Sequence, residues 1–80
     1  KNLILNFSSS AAGDIRVEMQ DKNGKPISGF SLDDCDPIFG DTLERVVTWQ
    51  SKNDLSSLEG RPIKLRFFLR DADLFSIQFK

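Results

Sequence analysis

The chain has 80 residues, of which 39% are apolar and 29% charged, and its 11 basic and 12 acidic residues leave a net charge of −1. This balance gives no cationic surface of the kind that binds nucleic acid or an anionic membrane, and no apolar run reaches the roughly 18 residues of a membrane-spanning helix. The length allows one domain, so we expect residues 1–80 to form a single small module.

The first two predicted strands are residues 2–8 and 14–20. Their apolar side chains fall on every second residue: Leu3, Leu5 and Phe7, then Ile15, Val17 and Met19. This two-residue period is typical of a half-buried strand, and the small residues Ala11-Ala12-Gly13 between the two segments predict a turn. Because the alternation begins almost at residue 1, we expect the chain to be a fragment whose missing upstream residues cover one edge of the sheet.

The middle of the chain is rich in turn signals. Asn23-Gly24 predicts a tight hairpin turn, because both residue types tolerate positive φ, and residues 27–32 predict a short returning strand. Residues 33–41 mix acidic side chains with Pro37 and Gly40, follow neither the helical nor the strand period, and therefore predict a long loop.

Two further elements are predicted before the last third of the chain. Residues 43–50 predict a central strand covered on both faces, since Val46 and Val47 point in opposite directions. Residues 54–59 predict a single helical turn that Asp54 caps and that Gly60 ends.

The last third of the chain has the clearest alternation. Its apolar side chains again occupy every second position: Ile63, Leu65, Phe67 and Leu69, then Phe75, Ile77 and Phe79. Asp71-Ala72-Asp73 between these runs predicts a hairpin turn. Short strands joined by Gly, Pro and Asn turns predict an all-β fold, namely an antiparallel β-sandwich or jelly roll that is incomplete at its N-terminal edge.

The residue types limit the chemistry. Histidine is absent, which removes the Ser-His and Cys-His pairs of nucleophilic catalysis, and a single Cys35 without His does not make a zinc site. Cys35 is expected to be a small buried hydrophobe. We expect no cofactor. Oxygen ligands suited to calcium remain as an alternative in the acidic loop, at Asp33, Asp34, Asp36 and Asp41, although the main prediction for these residues is a solvated, turn-forming role.

The aromatic residues are seven Phe and one Trp, with no Tyr. This bias favours core positions, because Tyr is the ring expected on a wet recognition surface. Trp49 and Phe39 are the candidates for stacking against a sugar ring, although the phase of Trp49 with Val47 favours core packing over stacking for Trp49. Phe68 shares the charged face of its strand with Arg66 and Arg70, so it is a candidate for an interface with another domain.

Several segments resemble one known type of module. They are Ser9–Phe30, Phe30–Asp41, Glu44–Trp49, Asp54–Phe67 and Asp71–Phe75. Together they are similar to the C-terminal β-sandwich of bacterial proteins like the family 32 glycoside hydrolases. In those proteins a five-bladed propeller carries the catalytic carboxylates. None of its catalytic motifs matches this sequence, so the resemblance implies no active-site residue here.

The resemblance implies a non-catalytic accessory domain that packs on and stabilises the catalytic domain of the same parent chain, outside the cell or in the periplasm. Two alternatives stay open. The chain could be a carbohydrate-binding module that uses Trp49 or Phe39, or a protein-interaction domain that uses an exposed strand edge. Neither a nucleic acid nor a membrane is an expected partner.

Overall fold

The computed structural model describes the backbone of residues 1–80 and every side chain except those at positions 42 and 43. Its strands are β1 (Leu3–Gln20), β2 (Asp41–Val46) and β3 (Lys64–Phe79), which form one antiparallel sheet in the order β2-β1-β3. A 3₁₀ helix spans Ser56–Leu58. No helix of the described chain is long and apolar enough to cross a membrane. The all-β prediction is confirmed, but a second sheet is not among the described elements, so a sandwich is not shown.

β1 and β3 are each one long strand, with 18 and 16 residues, where the sequence predicted two pairs of short strands. The predicted turns at Ala11-Ala12-Gly13 and Asp71-Ala72-Asp73 are therefore wrong, because both segments lie inside strands. The pairing passes from Ser9 opposite Ala72 to Asp14 opposite Arg70, so residues 10–13 bulge opposite Asp71, whose φ is 46°. Bulges and turns favour the same small or flexible residues, and here both strands bend together instead of reversing.

Gly13 lets the two strands approach at this bend. A Cβ built on Gly13 would fall against the backbone carbonyl oxygens of Arg70 and Asp71. A side chain at position 13 would leave no room for the β3 backbone, so glycine is needed there. Its small size lets the Ala11-Ala12-Gly13 segment stay within β1.

Loops, and not a second sheet, cover the inner face of β1. The core consists of the apolar side chains of β1 and of the segments folded over them: Leu3, Leu5, Phe7, Ile15, Val17, Met19, Cys35, Ile38, Val47, Trp49, Leu55 and Leu58. The six β1 side chains in this set are the ones that the alternation places on one face, so that part of the prediction is confirmed.

The remaining elements are shorter than predicted. The Asn23-Gly24 turn is present, closed by hydrogen bonds between Asp21 and Lys25, but residues 27–32 form no strand after the single bridge between Gln20 and Pro26. The strand predicted over residues 43–50 is β2 over Asp41–Val46, and it lies at an edge of the sheet, so the prediction of a central strand is wrong.

The predicted helical turn is the 3₁₀ helix. Asp54 accepts hydrogen bonds from the backbone N–H and the hydroxyl of Ser56, which lowers the pKa of its carboxyl.

Candidate docking surface on β3

The edge of β1 opposite β3 is paired in both halves of the strand, on either side of residues 10–13. Its first half pairs with β2, and its second half is satisfied by the loops. Ile15 exchanges backbone hydrogen bonds with Ile38, and Met19 bonds to Ile27 and Phe30. At these positions β1 pairs with β3 on one side and with β2 or a loop on the other, so its backbone groups are not available to another strand.

Val17 is the most unusual point of this edge, because side chains take the place of a neighbouring strand. Its N–H donates to the Sγ of Cys35 at 3.4 Å, and its carbonyl oxygen accepts from the indole Nε1 of Trp49 at 2.9 Å. The ring of Trp49 also packs edge-on against Phe30, with 5.3 Å between the ring centroids. Trp49 and Cys35 therefore complete the sheet at Val17 as well as filling the core.

β3 forms the outer edge of the sheet and lacks such a cover. In an antiparallel pair, residues alternate between positions whose N–H and C=O both bond to the partner strand and positions whose groups point away from it. Asn2 and Lys80 exchange both bonds, at 2.7 and 2.9 Å, so the backbone groups of Ile77 and Phe79 point away from β1.

The same alternation applies to the first half of β3. Ile15, Val17 and Met19 direct their backbone groups to the loops, so the residues opposite them direct theirs to the free edge. These residues are Leu69, Phe67 and Leu65. Among the described residues, none hydrogen-bonds to these outward groups. Over residues 65–69 the free edge thus carries three unpaired N–H donors and three unpaired C=O acceptors.

The inner face of β3 is half-open, although it continues the core face of β1. Leu69, Ile77 and Phe79 are 41%, 42% and 43% exposed, while their partners across the sheet, Ile15, Leu5 and Leu3, are completely buried. Leu65, Phe67 and Leu74 of β3 still pack against the core cluster and are partly buried, so the loops that cover β1 extend only partly over β3.

The open face continues into a depression at one end of the sheet. It has a volume of about 460 Å³ and is lined by Lys1, Leu55, Leu58, Glu59, Gly60, Ile63 and Phe79. Four of these side chains are large and apolar, but Leu55 and Leu58 are buried, so Ile63 and Phe79 provide most of the apolar surface that the depression adds beyond the end of β3.

The outer face of β3 is cationic around one exposed ring. Phe68 is 46% exposed and lies between Arg66 and Arg70, as the sequence pattern predicted. The buried carboxylate of Asp14 forms ion pairs with Arg70 at 3.2 Å and with Arg16 at 3.3 Å. Glu18 accepts hydrogen bonds from Gln20 and from the backbone of Leu32, with Arg66 at 4.0 Å. The two arginine side chains of β3 nevertheless stay 64% exposed.

The two residues predicted to stack against sugars lie in different environments. Trp49 is 1% exposed, so neither face of its ring is available to a ligand, and it occupies the core, as its phase with Val47 predicted. Phe39 is 60% exposed, on the loop before β2. The structure therefore does not combine them in one stacking platform.

The acidic loop uses its carboxylates for local hydrogen bonds. Asp34 accepts from Ser31 and Gln50. Asp36 accepts from the Thr48 hydroxyl and the Ser51 N–H, and the Thr48 bond is the main reason that the pKa of Asp36 is lowered. In the described part of the chain, no three His, Cys, Asp or Glu side chains converge on a position that could hold a metal. The calcium alternative at Asp33, Asp34, Asp36 and Asp41 is thus not supported by the geometry.

Cys35 is buried and free, as expected from its position in the sequence. Burial raises the pKa of its thiol, and the hydrogen bond from the Val17 N–H and the charge of Arg16 oppose that shift. A protonated, enclosed thiol of this kind is a structural group.

No family model, curated protein or solved structure matches this chain. The resemblance to family 32-like glycoside hydrolases accordingly gains no support from the comparisons. What the chain can bind has to be judged from its own surface.

The sequence pattern missed the free edge of β3. Alternation identifies Leu65, Phe67 and Leu69 as core-facing, but it does not say whether another layer reaches them. A usable signal was the set of cations at Lys64, Arg66 and Arg70, which has no acidic residue between its members. Such charges are a common protection of edge strands.

Proposed function

We propose that this chain is a non-catalytic accessory module that docks through β3 on a folded domain of a larger protein. The observation that carries the proposal is the contrast across the sheet: the inner-face side chains of β1 are buried, whereas Leu69, Ile77 and Phe79 on the same face of β3 are more than two-fifths exposed. A small module gains stability when such a face is covered, because its own core is limited by its size.

The apolar surface at β3 is large for a chain of this length. Five large side chains of the strand are more than two-fifths exposed: Phe68, Leu69, Phe75, Ile77 and Phe79. At roughly 200 Å² for a fully exposed large side chain, the three on the inner face, Leu69, Ile77 and Phe79, together expose about 250 Å². Phe68 adds an exposed ring on the opposite face of the strand. Exposed apolar area that is rimmed by polar residues is a candidate for a contact with another protein.

The polar groups of the chain support a structural role. The buried carboxylates of Asp14 and Glu18 are held by arginines and backbone or amide donors, and those of the acidic loop are held by loop hydroxyl, amide and N–H groups. These contacts fix the loops and the outer face of the sheet. The sequence also has no histidine to act as a general base.

The identity of the docking partner is a separate part of the proposal. From the segments that resemble family 32-like proteins, we propose that the docking partner is the catalytic domain of a glycoside hydrolase on the same parent chain. Phe68, exposed at the cationic side of β3, is the residue proposed for that interface, together with the inner-face residue Phe79.

The test compares the isolated chain with the full-length product of its gene, both labelled with 4-fluorophenylalanine. A soluble gadolinium chelate reports which rings face solvent, and single Phe→Leu variants assign the ¹⁹F signals. Docking predicts that Phe68 and Phe79 lose access to the chelate in the full-length product. Phe39, which is exposed but lies outside β3, is the matched control and keeps its access. Unchanged access at both Phe68 and Phe79 would refute the proposal.

A further inference from the structure

The free edge of β3 between Leu65 and Leu69 is complementary to another strand. We propose that this edge binds an extended acidic peptide segment, in which apolar residues alternate with Asp or Glu, by adding it to the sheet next to β3. The inference rests on the docking proposal and names the part of the partner that makes the contact.

The backbone supplies the first argument. Leu65, Phe67 and Leu69 direct their N–H and C=O groups away from β1, and no described residue hydrogen-bonds to them. Three such residues at every second position present the repeating donor and acceptor pattern that an added strand pairs with. A segment of about five residues is enough to use all of them.

The inner face supplies the second argument. On that face Leu65 and Phe67 are partly buried and pack against the core cluster, and Leu69 is more exposed. An added strand would place every second side chain next to them on the same face. Those side chains of the partner have to be apolar, since they would extend the core layer.

The charges of the outer face supply the third argument. Over residues 64–70 of β3 the charged side chains of this face are all cations: Lys64, Arg66 and Arg70. With Arg16 they face Asp14 and Glu18 of the paired β1 segment, which leaves a charge of +2, and Asp33, which lines a depression with Phe68 and Arg70, reduces it to +1. Asp73 lies on the same face of β3 but outside this segment, opposite Ser8. Acidic side chains at the alternate positions of the partner would face the cations.

The same charges oppose a second copy of this chain as the occupant. In antiparallel self-pairing centred on Phe67, Lys64 would lie opposite the Arg70 of the other copy. Centred on Arg66 or Phe68, arginine would lie opposite arginine. Like charges directly across a strand pair are destabilising, so each of these registers is disfavoured.

The experiment uses the 80-residue chain and a capped nonapeptide of alternating Glu and Val, with the corresponding Lys and Val peptide as the charge control. Amide hydrogen exchange and chemical-shift changes are followed by NMR during titration at low ionic strength. We expect saturable binding of the Glu peptide, with new protection of the amides of Leu65, Phe67 and Leu69. Lys64→Glu should weaken binding about three- to tenfold, because the attraction between Lys64 and a Glu of the peptide becomes a repulsion between two carboxylates. The same change at the exposed Lys22, in the turn after β1, should leave binding unchanged.

Three results would overturn the inference: no added protection at the three edge amides, binding of the Lys peptide as tight as that of the Glu peptide, or protection of those amides by self-association without peptide. If the peptide fails to bind while Phe68 and Phe79 are covered in the full-length product, strand addition is wrong and the docking proposal stands. If those rings stay open, the docking proposal itself fails.

Discussion

β1 and β3 carry the same alternation of apolar and polar side chains and pair along nearly their whole lengths, but only β1 is covered. Apolar β1 side chains on the shared face are 0–2% exposed, whereas three of their neighbours on β3 are 41–43% exposed. The backbone differs in the same way, because β1 is bonded on both sides and β3 on one. Identical patterning therefore produces a core strand or an edge strand according to where the loops fold.

The largest effect expected from this difference is in a pair of matched truncations. Leu5 and Ile77 face each other across the sheet, and Leu5 is fully buried while Ile77 is 42% exposed. Leu5→Ala should cost about 3 kcal/mol of unfolding free energy, since it leaves a cavity in the core, and Ile77→Ala should cost less than about 1 kcal/mol. Urea unfolding of the two variants measures both values. Equal costs would mean that β3 is as well covered as β1.

A second substitution would make one point of the β1 edge resemble that of β3. In Trp49→Phe the carbonyl of Val17 loses its indole donor, and the smaller ring leaves space in the core. We expect a loss of about 2 kcal/mol, because a buried acceptor is left without a partner. Ile38→Val, which trims a buried loop residue without removing a hydrogen bond, is the control and should cost about 1 kcal/mol. If Trp49→Phe costs no more than the control, the indole bond does not hold the edge.

A third substitution tests how β1 and β3 cross their common bend. Gly13→Ala places a methyl group against two backbone carbonyls of β3, which have to move, so we expect a loss of about 2 kcal/mol. Ala12→Ser, at the exposed neighbouring position, should change stability by less than about 0.5 kcal/mol. Thermal unfolding of the two variants compares them, and a neutral Gly13→Ala would show that the strands are not in close contact there.

The smallest expected effect is on the stability of the fold at acidic pH. The loops over β1 depend on Asp36, whose folded-state pKa lies below its usual value of 3.8 because of the Thr48 hydrogen bond. A lowered pKa stabilises the fold above pH 3.8, and the contribution is lost as the pH falls through the folded value. Stability should therefore decline less steeply below pH 3.8 in Asp36→Asn than in the parent. The same slope in Asp36→Asn and in the parent would contradict this role.

The sequence predicted which face of a strand is buried better than it predicted where each strand ends. Alternation correctly assigned all six inner side chains of β1, because burial of one face is what the two-residue period reports. It failed at Ala11-Ala12-Gly13 and Asp71-Ala72-Asp73, where residues typical of turns form a bend shared by two strands. Trp49 was assigned both a core role and a sugar-stacking role, since ring chemistry alone does not give its depth.

The candidate surface was only partly predictable for a related reason. Phe68 could be identified as exposed because its neighbours in the pattern are arginines. The openness of Leu69, Ile77 and Phe79 could not, because it depends on how far the loops of residues 26–40 and 47–63 extend across the sheet. That extent is set by long-range packing, such as the contacts of Trp49 and Cys35 with Val17, which leave no periodic signal.

Residue-resolved amide hydrogen exchange of the isolated chain tests the central claim most directly. The account predicts protection at Ile15, Val17 and Met19 of β1, and an alternating profile along β3 in which Arg66 and Phe68 are protected by β1 while Leu65, Phe67 and Leu69 exchange rapidly. Uniform slow exchange from residue 65 to residue 69 in the monomer would contradict it, because the edge of β3 would then already be covered.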